Sequence, residues 1–207
     1  MADTSNVTNT HNGHEFVDLG LPSGSLWATC NVGATSPEQS GLYFAWGETT
    51  GFTVEQIENG ERSFKKEYYK ASDISGDLTL EQDAAHIHMG GKWRMPTYDE
   101  CQELIDTCTV TWVTNFKGTG VAGYVFTSKV NGNSVFFPVA GGFDGSSLLS
   151  VGSVGNFWSA SWKSSSYAWG LFFSSGFVDL SNCGRCCGRS VRGVCAKDNS
   201  FFIVVTK

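Results

Sequence analysis

The residues of this chain that could ligate a metal or carry redox chemistry are its seven cysteines and four histidines. Cys183 and Cys186 have the Cys-x-x-Cys spacing of redox centres and zinc knuckles, and Cys187 follows them directly. A zinc site would need a second pair of ligands, but no such pair lies at a fitting distance in the sequence. We therefore expect no metal and no cofactor. The remaining cysteines are expected to be small core residues: Cys30, Cys101, Cys108 and Cys195.

The chain has no recognisable arrangement of catalytic groups. His86 and His88 are two residues apart, which would place them on different sides of a helix, and His11 and His14 lie in a polar lead-in. A hydrolase triad needs a serine held by a histidine, and no Gly-x-Ser-x-Gly elbow frames a serine here. The sequence therefore predicts that the protein is not an enzyme.

The most patterned stretch of the chain runs from residue 156 to residue 194. From residue 169 onward, large apolar side chains recur at every second position, and the pattern resumes after Ser175-Gly176. An alternation of period two predicts strands with one buried face, and the Ser-Gly turn between them predicts a hairpin over residues 168–181. The buried set is predicted to be Trp169, Leu171, Phe173, Val178 and Leu180.

The opposite face of this hairpin is predicted to be a contact surface. It carries two phenylalanines among glycine, serine and aspartate, whereas a solvated strand face normally carries Lys, Glu and Thr. Turn-like segments flank it at 164–167 and 181–187, and their mixture of small polar and aromatic residues is typical of an antibody paratope. The alternative is an ordinary hairpin that a neighbouring segment covers.

Composition limits the possible function classes. A chain of 207 residues suits one domain with a sizeable core. The net charge of -6 disfavours a nucleic-acid partner, because proteins that bind nucleic acid present a basic face. No apolar run reaches the roughly 20 residues that span a bilayer, so we expect no direct membrane insertion. The first residues lack the basic and apolar regions of a signal peptide.

The elements around the patterned stretch are predicted to be mostly short strands. Strands are expected at 16–19 and 25–30, separated by a Pro22-Ser23-Gly24 turn. Farther along the chain, two strand-like segments flank Asn131-Gly132, which is the strongest short signal for a hairpin.

One helix is predicted with defined ends and a defined buried side. Thr97 and Glu100 match a capping box, which predicts that the helix begins at Thr97, with Cys101 and Leu104 facing the core. Together these elements predict an α+β fold of short antiparallel strands with one or two helices and long loops. The predicted organisation is a flexible lead-in at 1–13, one domain at 14–195, and a C-terminal strand or tail at 196–207.

Several motifs of the chain resemble those of the variable proteins of diversity-generating retroelements. They are FVDLGLPSGSLWATCNVGA, LYFAWGETT, GGKWRMPTYDECQELID and NGNSVFFPVAGG, followed by FWSASW, AW and GRSVRGV. The resemblance covers residues 14–195 and implies a C-type-lectin-like fold, within a fold group that includes formylglycine-generating enzymes. It also implies a ligand-binding protein of receptor or adhesin type, displayed on a virion surface or a cell surface.

In this family an error-prone copy of a template repeat replaces the 3' end of the gene. AAC codons change at their adenines, so that Lys, Glu, Gln, Met and Trp cannot arise. Lys163 departs from this pattern, and Gly193 stands where relatives often carry proline. The resemblance implies a variable ligand-binding region at about 163–187, and none of its diversified positions is an excluded type. These positions are Ser164, Ser165, Ser166, Tyr167, Gly170, Phe172, Ser174, Gly176, Phe177, Asp179, Ser181, Asn182, Cys183, Gly184, Cys186 and Cys187.

Two other functions stay open at this point. A formylglycine-generating-type oxidase would need a reactive cysteine pair late in the domain; cysteines are present there, but their neighbours do not match that enzyme's motif. A static glycan-binding lectin of this fold would use a Glu-Pro-Asn or Gln-Pro-Asp loop with a Trp-Asn-Asp strand, and the chain has neither. Aromatic anchors on the predicted surface favour a protein ligand on a target surface as the partner, with a glycan second.

Overall fold

The computed structural model describes residues 9–197, and in this part of the chain short strands outnumber helices. The three helices are α1 (Val54–Glu58), α2 (Ala84–Met89) and α3 (Tyr98–Thr107). Short 3-10 turns occur at Lys66–Tyr68, Leu80–Gln82 and Phe116–Gly118. The strands are β1 (Thr10–His11), β2 (His14–Asp18), β3 (Ser25–Asn31), β4 (Cys108–Val113), β5 (Gly123–Ser128), β6 (Ser134–Pro138), β7 (Gly142–Asp144), β8 (Ser147–Leu149), β9 (Val154–Trp162), β10 (Tyr167–Ser174), β11 (Phe177–Gly184) and β12 (Arg192–Ala196).

These strands form four antiparallel sheets. Their orders are β1-β2-β3-β12, β11-β10-β9, β4-β5-β6 and β7-β8. Every pairing between named strands is antiparallel. The predicted α+β class with mostly short antiparallel strands is therefore confirmed, but the described part has three helices and not the one or two predicted.

The two ends of the predicted domain meet in one sheet, because β12 pairs with β3 next to β2. Residues 10–11, which were expected to belong to a flexible lead-in at 1–13, form a strand of the domain. Thr10 and His11 pair with β2, and the His11 carbonyl accepts a 2.8 Å hydrogen bond from the Trp93 indole, so this part of the lead-in is fixed by the domain. Residues 1–8 and most of the expected tail, 198–207, lie outside the described residues, and Ala196 is the last residue of β12.

The predicted helix and second hairpin are both present. The Thr97 hydroxyl accepts a hydrogen bond from the Glu100 amide at 3.2 Å, and the Glu100 carboxylate accepts one from the Thr97 amide at 2.9 Å. This capping box fixes the start of α3, whose buried side includes Cys101 and Leu104, as predicted. β5 and β6 form the hairpin around Asn131-Gly132.

The main core lies between α3, the β4-β5-β6 sheet and one face of the β11-β10-β9 sheet. Leu104, Phe126, Phe137 and Phe173 are all at most 1 % exposed within it. A second cluster surrounds three buried tryptophans, Trp46, Trp93 and Trp158. Thus one face of the hairpin predicted from alternation packs against the largest apolar cluster of the domain.

No helix of the described part is long and apolar enough to span a membrane.

Candidate functional site

The predicted hairpin is formed by β10 and β11, which pair along eight residues each. The ladder runs without a break from Tyr167 opposite Gly184 to Ser174 opposite Phe177. β10 also pairs with β9 on its other side, so it is the central strand of its sheet. Hydrogen bonds on both edges hold this backbone, and its shape therefore does not depend on the side chains of the outer face.

The inner face of the hairpin carries most of the predicted buried set. Leu171 is 1 % exposed and Phe173 is 0 % exposed, and they lie opposite Leu180 and Val178. The Phe173 ring meets Tyr124 edge-on, with ring centroids 5.4 Å apart. Leu171, Phe173 and Leu180 are thus buried as predicted. Val178 shares their face, because residues opposite each other in the ladder do, but it is only partly buried against the core.

Trp169 was predicted to be buried with this set, and that prediction is wrong. It lies opposite Asn182 near the open end of the hairpin and is partly exposed. Its ring contacts Tyr98, at the start of α3, and the Lys163 ammonium group lies 4.5 Å from the ring centroid. Trp169 faces the side of β10 that was predicted, but there the start of α3 and Lys163 cover its indole, and core residues do not.

The outer face is open near the hairpin turn. Phe172 is partly exposed and Phe177 is 50 % exposed, and their rings contact each other with centroids 6.2 Å apart. Asp179 lies opposite Phe172 and is exposed, while Ser174 is partly exposed opposite Phe177. This half of the face has the exposed aromatic pair among small polar groups that the sequence predicted.

Gly170 does not fit the role that the sequence reasoning gave it. It is buried opposite Ser181, and a Cβ atom built on it would lie 2.2 Å from the Phe157 carbonyl oxygen on β9. Real Cβ atoms do not approach backbone oxygens this closely, so no side chain can be displayed there without moving β9. Gly170 is therefore a packing position of the sheet and not a displayed one.

The two flanking loops meet at the open end of the hairpin. Ser164 is partly exposed, Ser165 and Ser166 are exposed, and Tyr167 is 48 % exposed at the start of β10. On the other side β11 continues to Gly184, beyond the turn that was expected to begin at residue 181. Its longer course places exposed Asn182 on the same face as Trp169, away from Phe172.

Arg185 holds these loops in place, and the sequence reasoning did not identify it. Its side chain is 1 % exposed and lies over the Trp46 ring, 4.6 Å from the centroid. The guanidinium donates hydrogen bonds to the carbonyl oxygens of Ser165, Ala71 and Ile74 and to the Tyr69 hydroxyl oxygen, at 2.6–3.1 Å. The sequence feature that could have identified Arg185 is that it is a single arginine among small residues in the segment 181–187.

The hairpin turn has an anchor of its own. The Gly176 amide donates a 3.0 Å hydrogen bond to the hydroxyl oxygen of Tyr124, which is 5 % exposed on β5. Both ends of the candidate surface are thus fastened to other elements, Gly176 to β5 and Ser165 to Arg185. No sequence pattern pointed to Tyr124, because its partner is 52 residues away.

The three clustered cysteines are partly exposed free thiols. A hydrogen bond from Cys187, together with the nearby Arg189 guanidinium, outweighs the effect of burial and lowers the pKa of Cys183 to about 6. The same hydrogen bond raises the pKa of Cys187, and burial raises the pKa of Cys186. Within residues 9–197 no group of three or more His, Cys, Asp or Glu side chains is placed to hold a metal ion.

The structure therefore brings the predicted positions together along one hairpin and its two loops. Fifteen of the sixteen are exposed or partly exposed, and Gly170 is the buried one. At about 3.3 Å per residue, the eight-residue strands place the two ends of this set roughly 23 Å apart. No family model, no curated protein and no solved structure matches the chain.

Proposed function

We propose that this chain is a non-enzymatic ligand-binding domain with a C-type-lectin-like fold, a variable protein diversified by a retroelement. The observation that carries the proposal is the division of the β10–β11 hairpin into a buried set and an exposed set. Leu171 and Phe173 are at most 1 % exposed, whereas Tyr167 and Phe177 are about half exposed on the same two strands. The antiparallel α+β architecture supports the proposed fold.

Energetics explains why such a hairpin suits interchangeable side chains. Replacing a large buried side chain commonly costs about 2–5 kcal/mol, whereas surface changes usually cost about 0.5 kcal/mol or less. Substitutions at exposed positions such as Tyr167 and Phe177 would leave the fold intact and change only what the surface binds. The unbroken ladder of β10 with β11, together with the pairing of β10 with β9 on its other side, supplies the fixed backbone that this requires.

The exposed aromatic residues favour a protein as the ligand. Phe172 and Phe177 touch each other on the open half of the outer face, and Tyr167, on the Trp169 side of β10, offers a hydroxyl group on a rigid ring at the other end of the hairpin. Aromatic anchors of this kind dominate the binding energy of protein interfaces. A glycan on the same target is the second choice, and display on a virion or a cell surface is the setting in which such binding would operate.

Sequencing of the gene in its source population tests the diversification. The 3' end and its downstream DNA are amplified and searched for a near-copy of codons 163–192 that differs only at adenines. We expect such a copy, with variation at codons of exposed positions. A single invariant sequence without a second copy would contradict diversification and leave a static binding domain.

A formylglycine-generating-type oxidase is the second candidate, and the observation that favours it is the thiol cluster. Cys183 has a lowered pKa, and it lies beside Cys187 at a partly exposed position. Such an activity would consume oxygen while it converts a cysteine of a peptide substrate. We expect no turnover when a cysteine-containing peptide is supplied and oxygen uptake is measured. Uptake that disappears in Cys183→Ser would support the oxidase and contradict the binding proposal.

A further inference from the structure

A groove lies between the outer face of β10 and the β7–β8 hairpin. Its volume is about 320 Å³, which is at the lower end of the range for small-ligand pockets. Apolar side chains form most of its walls, namely Phe143, Leu149, Val154 and Phe172. A space of this size with such walls fits an apolar side chain better than a hydrated sugar.

Two polar residues that line the groove have unused hydrogen-bonding atoms. Asn156 lies opposite Phe172 in the β9–β10 ladder and so faces the same side of the sheet. Arg189 is 8 % exposed, with its guanidinium 4.8 Å from the Trp158 ring centroid. Asn156 Oδ1 and Arg189 Nη1 are both buried, and neither makes a hydrogen bond within the described part of the chain.

Unpartnered atoms of this kind indicate a missing ligand. A buried donor or acceptor without a partner costs about 1–3 kcal/mol, and native structures contain few of them. Here a free donor and a free acceptor belong to residues that line the same groove, and Gly142 lies beside both residues: a Cβ on it would be 3.7 Å from Asn156 Nδ2 and 3.9 Å from Arg189 Cγ. One ligand group that both accepts and donates would satisfy both atoms.

The charges around the groove favour a neutral ligand over a carboxylate. Arg189 supplies one positive charge, but Asp144 and the Cys183 thiol, whose pKa is lowered to about 6, also line the groove, and Asp179 lies opposite Phe172 on the same outer face. A ligand carboxylate would be attracted by Arg189 and repelled by the other three groups. A peptide unit is neutral, with one carbonyl acceptor and one N–H donor.

We propose that the groove binds one apolar side chain of a partner polypeptide together with its backbone amide. The peptide carbonyl accepts from Arg189, and the peptide N–H donates to Asn156, while Leu149, Val154 and Phe172 surround the side chain. This inference rests on the proposed binding function and gives it a ligand class. Asn156 and Arg189 lie outside the sixteen diversified positions, whereas Phe172 belongs to them. The constant residues Asn156 and Arg189 would therefore bind the ligand backbone, and the variable residue 172 would select the ligand side chain.

The test uses N-acetyl-L-leucine amide as the probe, with N-acetylglycine amide as a probe that lacks the side chain. Each is titrated into the 15N-labelled full chain, and binding is followed by the amide signals of residues 142–156 and 170–174. We expect saturable shifts with the leucine probe and at least tenfold weaker binding of the glycine probe.

Two substitutions change the groove in different ways. Gly142→Ala adds a methyl group beside both polar residues, with its closest contact 3.2 Å from the Gly188 carbonyl oxygen, so a small adjustment accommodates it. Asn156→Leu removes the acceptor. We expect each to weaken binding of the leucine probe about tenfold or more, as loss of a hydrogen bond or of space requires. Asn182→Leu is the matched control, since Asn182 is exposed on the other face of the hairpin.

The outcomes separate this inference from the proposed function. Binding by the native chain that both groove variants lose and Asn182→Leu retains, with an unchanged spectrum elsewhere, supports the groove. Absence of shifts, equal binding of the two probes, or binding that survives both variants overturns it. None of these results depends on whether a second copy of codons 163–192 exists, so either proposal can fail while the other stands.

Discussion

The two halves of the hairpin's outer face differ although the same alternation predicted both. Near the turn, Phe172 and Phe177 reach the surface, whereas toward the open end Ala168 is 0 % exposed and Gly170 is buried. Ala168 packs in the cluster of Trp46 and Trp158, beside a register shift between β9 and β10. Period-two alternation assigns a residue to a face, but which other segments cover that face depends on residues far away in the chain.

The largest effect is expected where the inner face meets the main core. Phe173→Ala should lower the free energy of unfolding by about 3–5 kcal/mol, because it leaves a cavity against Tyr124 and Phe157. Phe172→Ala, one residue away on the outer face, should cost about 1 kcal/mol or less. Urea unfolding of both variants measures the difference, and equal losses would contradict the division of the hairpin into two faces.

The next effect separates the two halves of the outer face. Gly170→Ser should destabilise the protein by about 1–3 kcal/mol or more, because the new Cβ would collide with the Phe157 carbonyl oxygen. Gly176→Ser is the control: its φ of +85° makes a side chain unfavourable, but no atom lies within 4 Å, so a cost of only about 1 kcal/mol is expected. Thermal unfolding measures both. If serine at position 170 were tolerated as well as serine at 176, the half of the outer face around Gly170 would accept diversified side chains, contrary to this prediction.

A smaller effect is expected at the anchor of the turn. Tyr124→Phe removes the hydroxyl group that accepts from the Gly176 amide, and it should cost about 1 kcal/mol while the ring packing stays intact. Amide hydrogen exchange at 175–177 should become faster, with the exchange of β9 unchanged. Unchanged exchange at the turn would mean that the two strands alone fix its shape.

The last effect is expected on reactivity, at the end of the hairpin where the two flanking loops meet. The pKa of Cys183 is about 6, so its alkylation by iodoacetamide should rise with a midpoint near pH 6, compared with about 8.5 for an ordinary cysteine. Because the pKa is lowered on folding, the thiolate stabilises the folded state fully above about pH 8.5, and this contribution is lost as the pH falls through 6. Mass spectrometry locates the label. A midpoint near 8.5, or a fast phase that survives Cys183→Ser, would show that Cys187 and Arg189 do not act on this thiol.

Much of the fold was predictable because local patterns decide it. The capping box at Thr97 and the hairpin at Asn131-Gly132 depend on residues within a few positions of each other. The faces of Leu171, Phe173 and Phe177 also followed from alternation alone. For the candidate surface, the sequence located the hairpin and its loops, and fifteen of the sixteen positions have the exposure that binding requires.

What the sequence could not decide is set by contacts between distant segments. Gly170 is closed by β9, Trp169 is covered by Tyr98 and Lys163, and Arg185 reaches carbonyl groups more than 100 residues away. The groove of Asn156 and Arg189 exists only because β7–β8, β9 and the segment after β11 come together. The amino-acid sequence by itself determined which side of each strand a residue faces, because that follows from backbone geometry. Only the tertiary structure decided which of those sides stay open, since coverage depends on how separate elements pack.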